Sequence, residues 1–388
     1  MAKFLKFFIV VIFLIALLSL AVTGYDKPAA DKAVSDTALY DQLDNFGEAI
    51  SILREEYVEP VDSTKLVHGA MKGMLSSLDD YSQFMEKGEY EELESDTKGE
   101  FGGLGIEVSM RDGVLTVITP IDGSPAETAG IKPGDKIIKI DKKNTESMSI
   151  TESVENMRGD PGTVVTLTVW REKADKVFDV MLRRAMVKIK SIKKAEILSG
   201  SIGYIKIIEF QENTPRDLDE VLKRLDGQGM KSLILDLRNN PGGLLETASD
   251  VAERFLPRDT VVVSIKSRLP EESCIFKSSG KFAIKDYPLV VLVNGGSASA
   301  SEVVAGAIQD NKRGTILGTK TFGKASVQTV LPLKDGSAIR FTSAYYYTPG
   351  GRLIKKEGII PDVIVESSDD EQLEAAVKYL GTLKRDAK

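Results

Sequence analysis

Apolar positions recur along the chain with more than one period, and the changes of period divide it. Lys3 and Lys6 precede an apolar run from Phe7 to Val22 broken only by Ser19. At ~1.5 Å per residue this run falls a little short of a ~30 Å hydrocarbon core, and a basic flank followed by an apolar stretch is the pattern of export. Small residues at Thr23 and Gly24, or at Ala29 and Ala30, suit a signal peptidase, yet no A-x-A closes the run. A cleaved signal peptide and a retained membrane anchor therefore both stand for residues 1–24, and either places the chain outside the cytoplasm. From 25 to 97 a polar, alanine-rich tether leads into helical spacing, with Leu43, Phe46, Ile50 and Leu53 and then Leu66, Met71, Met74 and Leu75. Pro60 stops one helix there, and Asp62 or Ser63 is placed to cap the next.

Over residues 98–186 the texture changes to short β-rich runs punctuated by glycine, at 104–108, 114–118, 136–140, 164–170 and 177–182. Two helical pieces interrupt them, at 124–129 and 150–157. Glycines at 102, 103 and 105 let successive backbone N–H groups converge on an anion, and Ile106-Glu107-Val108 offers an edge to which a peptide adds as a further strand. Gly103-Leu104-Gly105-Ile106 resembles the carboxylate-binding loop of a PDZ domain, and Ser124-Pro125-Ala126 through Ala129-Gly130-Ile131-Lys132-Pro133-Gly134-Asp135 matches the turn before its next strand.

Residues 187–366 alternate strand and helix, as an α/β core does. Strands are expected at 203–209, 232–237, 289–293, 315–317 and 327–332, and helices at 215–225, 244–255 and 301–310. Lys334-Asp335-Gly336-Ser337 suggests a hairpin into 338–343, and 367–388 a closing helix and tail. The fold class is thus multidomain α/β (α+β).

Composition narrows the chemistry by what it lacks. The 388 residues carry a formal net charge of -7 with both signs interspersed, and the basic run from Lys188 to Lys194 alternates with apolar residues, which reads as a strand with a solvated face and not a nucleic-acid patch. Cys274 is the only cysteine, so neither an intrachain disulfide nor a cysteine metal cluster is available. His68 is the only histidine and lies on an amphipathic helical segment, which argues against a Ser-His-Asp triad and a multi-histidine zinc site. No cofactor or metal is implied.

Two expected strands end in glycine-rich loops: Leu237-Arg238-Asn239-Asn240-Pro241-Gly242-Gly243, and Asn294-Gly295-Gly296-Ser297-Ala298-Ser299-Ala300-Ser301-Glu302. A serine at the second strand-to-helix turn would sit where the helix dipole and free N–H groups favour developing negative charge; capping of the helix by Ser297 or Ser301 is the other reading. A third loop, Gly318 to Gln328, presents Lys324 between glycine and small residues.

Taken together, these loops and Ile202-Gly203-Tyr204-Ile205 resemble the carboxyl-terminal processing proteases, or tail-specific proteases. The resemblance implies a crotonase-like serine protease core with Ser299 as nucleophile, Lys324 as general base and Gln328 orienting it. It further implies an oxyanion hole from Ala300 with Gly242 or Gly243, and substrate recruitment by the carboxyl terminus. One departure is Leu78-Asp79-Asp80-Tyr81-Ser82, where the family usually has Leu-Asp-Pro-Tyr-Ser; it lies outside the catalytic motifs and bears on linker geometry only. An ordinary lysine pKa of ~10.4 leaves about one head group in two and a half thousand neutral at pH 7, so a lysine base needs an apolar pocket with no carboxylate touching it. Arg158, just past the helix expected to wall the peptide groove, is placed to couple groove occupancy to the core. The partners expected are proteins with apolar or unstructured carboxyl termini, the membrane through the N-terminal segment, and a homo-oligomer through the N-terminal helices. The reading from another class is a membrane-tethered peptide-binding scaffold without enzyme activity.

Overall fold

The computed structural model describes residues 36–282 and 286–386. The apolar run 7–22 and most of the tether lie outside these residues, and no described helix is long and apolar enough to cross a membrane. The chain divides into two compact units, one ending at Met71 and one beginning at Lys72. In the first, the helix Asp36–Glu56 leads to the start of the helix Ser63–Ser76, which carries His68. Asp62 caps that second helix by accepting from Thr64 N (2.8 Å). Leu39, Leu43, Phe46 and Leu53, spaced on one face of the first helix, are all exposed.

The second unit is built on a six-stranded sheet in the order Ile192–Leu198, Ile202–Ile207, Ser232–Asp236, Leu289–Val293, Thr315–Gly318 and Val363–Ile364. All pairings after the first are parallel. Parallel strands covered on both faces read as continuous apolar runs, and Leu289–Val293 is buried at every position. Its alternate side chains serve two cores: Val291 and Val293 pack with the helices Leu245–Glu253 and Ala300–Asp310, while Val290 and Leu292 pack with the closing helix Asp369–Asp386. Serine and lysine loops thus leave the carboxyl ends of neighbouring central strands.

Two features depart from the sequence reading. The strands Val261–Ser267 and Cys274–Lys277 join Ser326–Pro332 and Ala338–Tyr347 in a second sheet, which the strand-helix alternation did not suggest. The stretch 40–97 is also not wholly helical: Gln83–Met85 pairs antiparallel with Ala338–Arg340 in that same sheet. Three residues are too few for an alternation to register, and this pairing partner lies far along the chain.

Between Gln83–Met85 and the central sheet, the chain forms a separate β-module. Its strands run in the order Ile106–Arg111, Val114–Pro120, Lys136–Ile140, Val164–Arg171 and Lys176–Arg183, with the helix Ile150–Met157 beside them. Glu100–Gly103 and Ala185–Lys188 pair antiparallel, so the module's entry and exit strands are side by side.

Close approach of the two central strands fixes Gly318, whose φ is +129° and where an added Cβ would lie 2.0 Å from Val293 O. Gly318→Ala is expected to destabilise by at least ~2 kcal/mol in equilibrium urea unfolding. Gly295→Ala, with nothing within 4 Å of its Cβ, should stay within ~0.5 kcal/mol of the parent.

Candidate active site

Ser299 sits at the N-cap of the helix Ala300–Asp310 with φ 53° and ψ -113°, a conformation L-residues rarely hold without support. Support comes from the neighbouring Asn239–Gly243 loop. Ala298 N donates to Asn240 O (3.0 Å), Ser301 Oγ donates to the same carbonyl (2.9 Å), and Ser297 Oγ donates to Leu237 O (2.8 Å). The flanking serines are therefore lacing between two loops, and the cap position belongs to Ser299. The Asn239–Gly243 loop is itself anchored at its root, where buried Asp236 accepts from Tyr204 Oη (2.7 Å) and from Arg238 Nε and Nη2 (2.9 and 2.7 Å). Arg238 Nη1 continues to Asp369 O (2.5 Å) on the closing helix.

Gly242 lies against the serine: a Cβ there would stand 2.9 Å from Ser299 Cβ and 3.1 Å from Ala300 N. Its N–H is committed to Asn240 Oδ1 (2.9 Å). Gly243, at φ +132°, backs onto Phe210, whose carbonyl would meet an added Cβ at 2.2 Å.

Lys324 is brought to Ser299 by a residue the sequence reading left without a role. Glu302 is fully buried, and its carboxylate accepts four hydrogen bonds. Oε1 takes Thr321 Oγ1 (2.5 Å) and Gly323 N (2.7 Å); Oε2 takes Lys324 N and Ser299 N, each at 2.9 Å. One oxygen thus bonds the backbone of both residues. Burial raises the Glu302 pKa, against the opposing pull of these donors. Tyr346, 2 % exposed, donates its hydroxyl to Lys324 O and also reaches the Ser299 side chain; burial, then the Glu302 charge, raises its pKa well above the usual phenol range.

The Lys324 head group is half-buried over the Tyr81 ring, 4.6 Å from its centroid. Among the described residues no carboxylate forms an ion pair with it. Burial, then the Arg340 charge, lowers its pKa, and Asp79 opposes them. The Leu78 to Ser82 run is therefore no remote linker: Tyr81 and Asp79 belong to the surroundings of Lys324. Gln328 stands at a bulge opposite Thr342 and donates from Nε2 to Thr342 Oγ1 (2.8 Å), while its Oε1 is buried without a partner.

A second cleft, of about 80 Å³, lies on the β-module. Leu104, Gly105 and Ile106 form one wall and Val154, Met157 and Arg158 the other. Ile106–Arg111 is an edge strand of its sheet, and Gly103 ends the entry strand. Gly105, at φ +72°, packs where a Cβ would meet Ser124 Cβ at 2.3 Å. Among the described residues, Arg158 forms no ion pair with the central sheet. Its guanidinium lies over the Phe101 ring (5.1 Å) and 3.7 Å from Glu92 Oε1 on the helix Lys87–Lys98.

Of the residues the sequence had not singled out, Glu302 stood in the quoted serine run and Asp79 and Tyr81 in the run set aside as linker. Tyr346, Thr342 and Arg340 lie on a strand with no motif, and only pairing of Ala338–Tyr347 with Ser326–Pro332 brings them to the site.

Comparison with known proteins agrees with this architecture. The profile of peptidase family S41 matches residues 201–365, that of the PDZ domain residues 116–171, and that of the activating protease CtpB N-terminal domain residues 20–89. A carboxy-terminal-processing protease of Bartonella bacilliformis is 42% identical over 346 residues, covering 88% of this chain and 79% of the relative. The carboxy-terminal processing protease CtpA of Bacillus subtilis is 35% identical over 370 residues, covering 95% and 78%. A solved structure assigned to the S41 proteases, from Bacteroides fragilis, is 17% identical, covers 86% of this chain and 97% of its own, and superposes with a TM-score of 0.52, a likeness of fold. With a PDZ module set beside a serine-bearing α/β core, and with this identity over most of both chains, the protein belongs to the carboxy-terminal-processing proteases of peptidase family S41.

Proposed function

We propose that this serine peptidase cleaves proteins near their carboxyl termini with Ser299 as nucleophile and Lys324 as general base. The observation that carries this reading is the Glu302 oxygen shared by Ser299 N and Lys324 N. A base and a nucleophile from different loops react efficiently only when held in fixed register, and that oxygen supplies the register. Neutral Lys324 takes the proton of Ser299 Oγ as the oxygen attacks the peptide carbonyl. The resulting lysine ammonium then protonates the departing amine, and the same amine activates water to release the acyl group. The tetrahedral oxyanion falls to Ala300 N at the helix N-terminus and to Gly243 N, since Asn240 occupies Gly242 N. Gln328 receives the lysine head through its free Oε1, a neutral acceptor that restores no charge.

In this reading the segment 98–186 is the recruiting PDZ domain. Gly103, Leu104, Gly105 and Ile106 grip a substrate carboxylate while the chain behind it adds to the Ile106–Arg111 edge. Arg158 couples the groove to the helix Lys87–Lys98 through Glu92, and so acts on the core at one remove. The Lys3 to Val22 run exports the chain and, if retained, anchors it. The exposed stripe on Asp36–Glu56 suits a second copy of the chain.

Ser299→Ala and Lys324→Ala are each expected to lower kcat/KM for an unfolded protein substrate by more than about a thousandfold, with circular dichroism and melting unchanged. Near-normal turnover in either variant would exclude the dyad. Because the base must be neutral and burial with Arg340 lowers its pKa, kcat/KM in the parent should rise with pH along an acid limb lying below the ordinary ~10.4 of lysine.

Amidating the carboxyl terminus of a substrate, or ending it in a charged residue, should weaken kcat/KM at least about tenfold compared with a free apolar terminus. Equal rates would leave the groove without a recruiting role. A carboxyl-terminal peptide added in trans should stimulate the parent enzyme and leave Arg158→Ala unstimulated; equal stimulation of both would dispose of the coupling.

A further inference from the structure

The turn Asp79-Asp80-Tyr81-Ser82 precedes the β-module by a helix and carries none of the chemistry assigned above, yet it packs where the catalytic base resides. Asp79 Oδ1 accepts from Tyr81 N and Ser82 N, both at 2.9 Å, which shapes the turn and fixes the direction of the Tyr81 side chain. The next three residues, Gln83–Met85, pair with Ala338–Arg340 and pin the turn to the sheet that holds Gln328. Thr342 binds the turn by donating its N–H to Ser82 Oγ (3.3 Å), and its hydroxyl is among the groups that draw the Asp79 pKa down. The oxygen of that hydroxyl accepts Gln328 Nε2 at 2.8 Å. The turn is therefore connected to the base and to the base's partner: to Lys324 through the ring of Tyr81, and to Gln328 through Ser82 and Thr342.

The geometry points to Tyr81 as a positioning residue for Lys324: its ring face holds the protonated lysine head, and on losing its proton the head is released toward the free Oε1 of Gln328 and toward Ser299. The inference rests on the Ser299–Lys324 reading. Its chemistry is that an aromatic face attracts an ammonium through its quadrupole and has no comparable hold on a neutral amine. The proton goes to bulk water, and the amine keeps two N–H bonds, one of which Gln328 Oε1 can accept. A buried amide oxygen without a donor is unusual, and here it lies on the residue that the turn orients. Other charged or titratable groups around Lys324 are Glu302 from the Ala300–Asp310 helix, Arg340 and Tyr346 from the Ala338–Tyr347 strand, Asp79 from the turn, and Lys355, which bonds Tyr345 beside it. Arg340 opposes the ammonium and Asp79 favours it, so the ring acts between two opposed charges.

The test titrates Lys324 directly, in the full chain carrying Ser299→Ala, by competitive acylation and mass spectrometry across pH. Tyr81→Phe should leave the midpoint where it is, because the ring remains. Tyr81→trifluorophenylalanine keeps the shape and removes the ring's negative face; it should lower the midpoint by roughly half a unit to one and a half units, and Tyr81→Leu by as much. The acid limb of kcat/KM in chains with Ser299 intact should move down with it. An unmoved midpoint in the fluorinated protein, or an equal fall in Tyr81→Phe, overturns the role of the ring. That result is separable from failure of the dyad, which shows as retained turnover in Lys324→Ala whatever the Tyr81 variants do.

Discussion

A carboxylate removed from water must be met by donors, and the donors it recruits become fixed relative to one another. Glu302 is in that position. Its four hydrogen bonds, each of the order of 1.5–3 kcal/mol for a charged acceptor, draw on the serine turn and on three residues of the lysine loop. Neither loop has regular structure of its own at these points, and Ser299 is held in a backbone conformation that isolated chains avoid. The rest of the site follows from this arrangement. Gly242 and Gly243 must do without side chains because the serine turn and Phe210 close on them, and Gly318 because its strand presses on Val293. Tyr346 completes the bridge from the far sheet.

The lysine is treated in the opposite way. Where Glu302 is saturated with partners, the Lys324 head has a ring beneath it, a guanidinium charge near it and a carboxylate at one remove. Full desolvation would make the amine neutral but leave nothing to locate it. A full ion pair would locate it but keep it charged. The mixture of Tyr81, Arg340 and Asp79 lies between those extremes.

How much of this was legible in the sequence depended on distance along the chain. A single histidine on an amphipathic helix and a single cysteine removed the commoner nucleophile partners, and the glycine-rich loops marked Ser299 and Lys324. The central strands announced themselves because both their faces are apolar. The Glu302 clamp was hidden because a glutamate three residues into a helix reads as an ordinary capping residue. Tyr81 and Asp79 were hidden because their relation to Lys324 exists only through the pairing of Gln83–Met85 with Ala338–Arg340, a three-residue strand with no periodicity to detect. Arg158 lines the groove, and its pairing with Glu92 depends on how the Lys87–Lys98 helix packs, which no local pattern encodes.

The antiparallel pairing of Glu100–Gly103 with Ala185–Lys188 has a consequence for how such a chain could have been assembled. Because Gln83–Met85 already belongs to the sheet of the core, the β-module is an insertion, and its two ends meet as neighbouring strands. A loop that returns to within one strand spacing of its origin asks nothing of what lies between except that its own ends be adjacent. The recognition module is in this sense a cassette: duplication, exchange or loss of the whole segment leaves the surrounding polypeptide with a gap that a short turn can span.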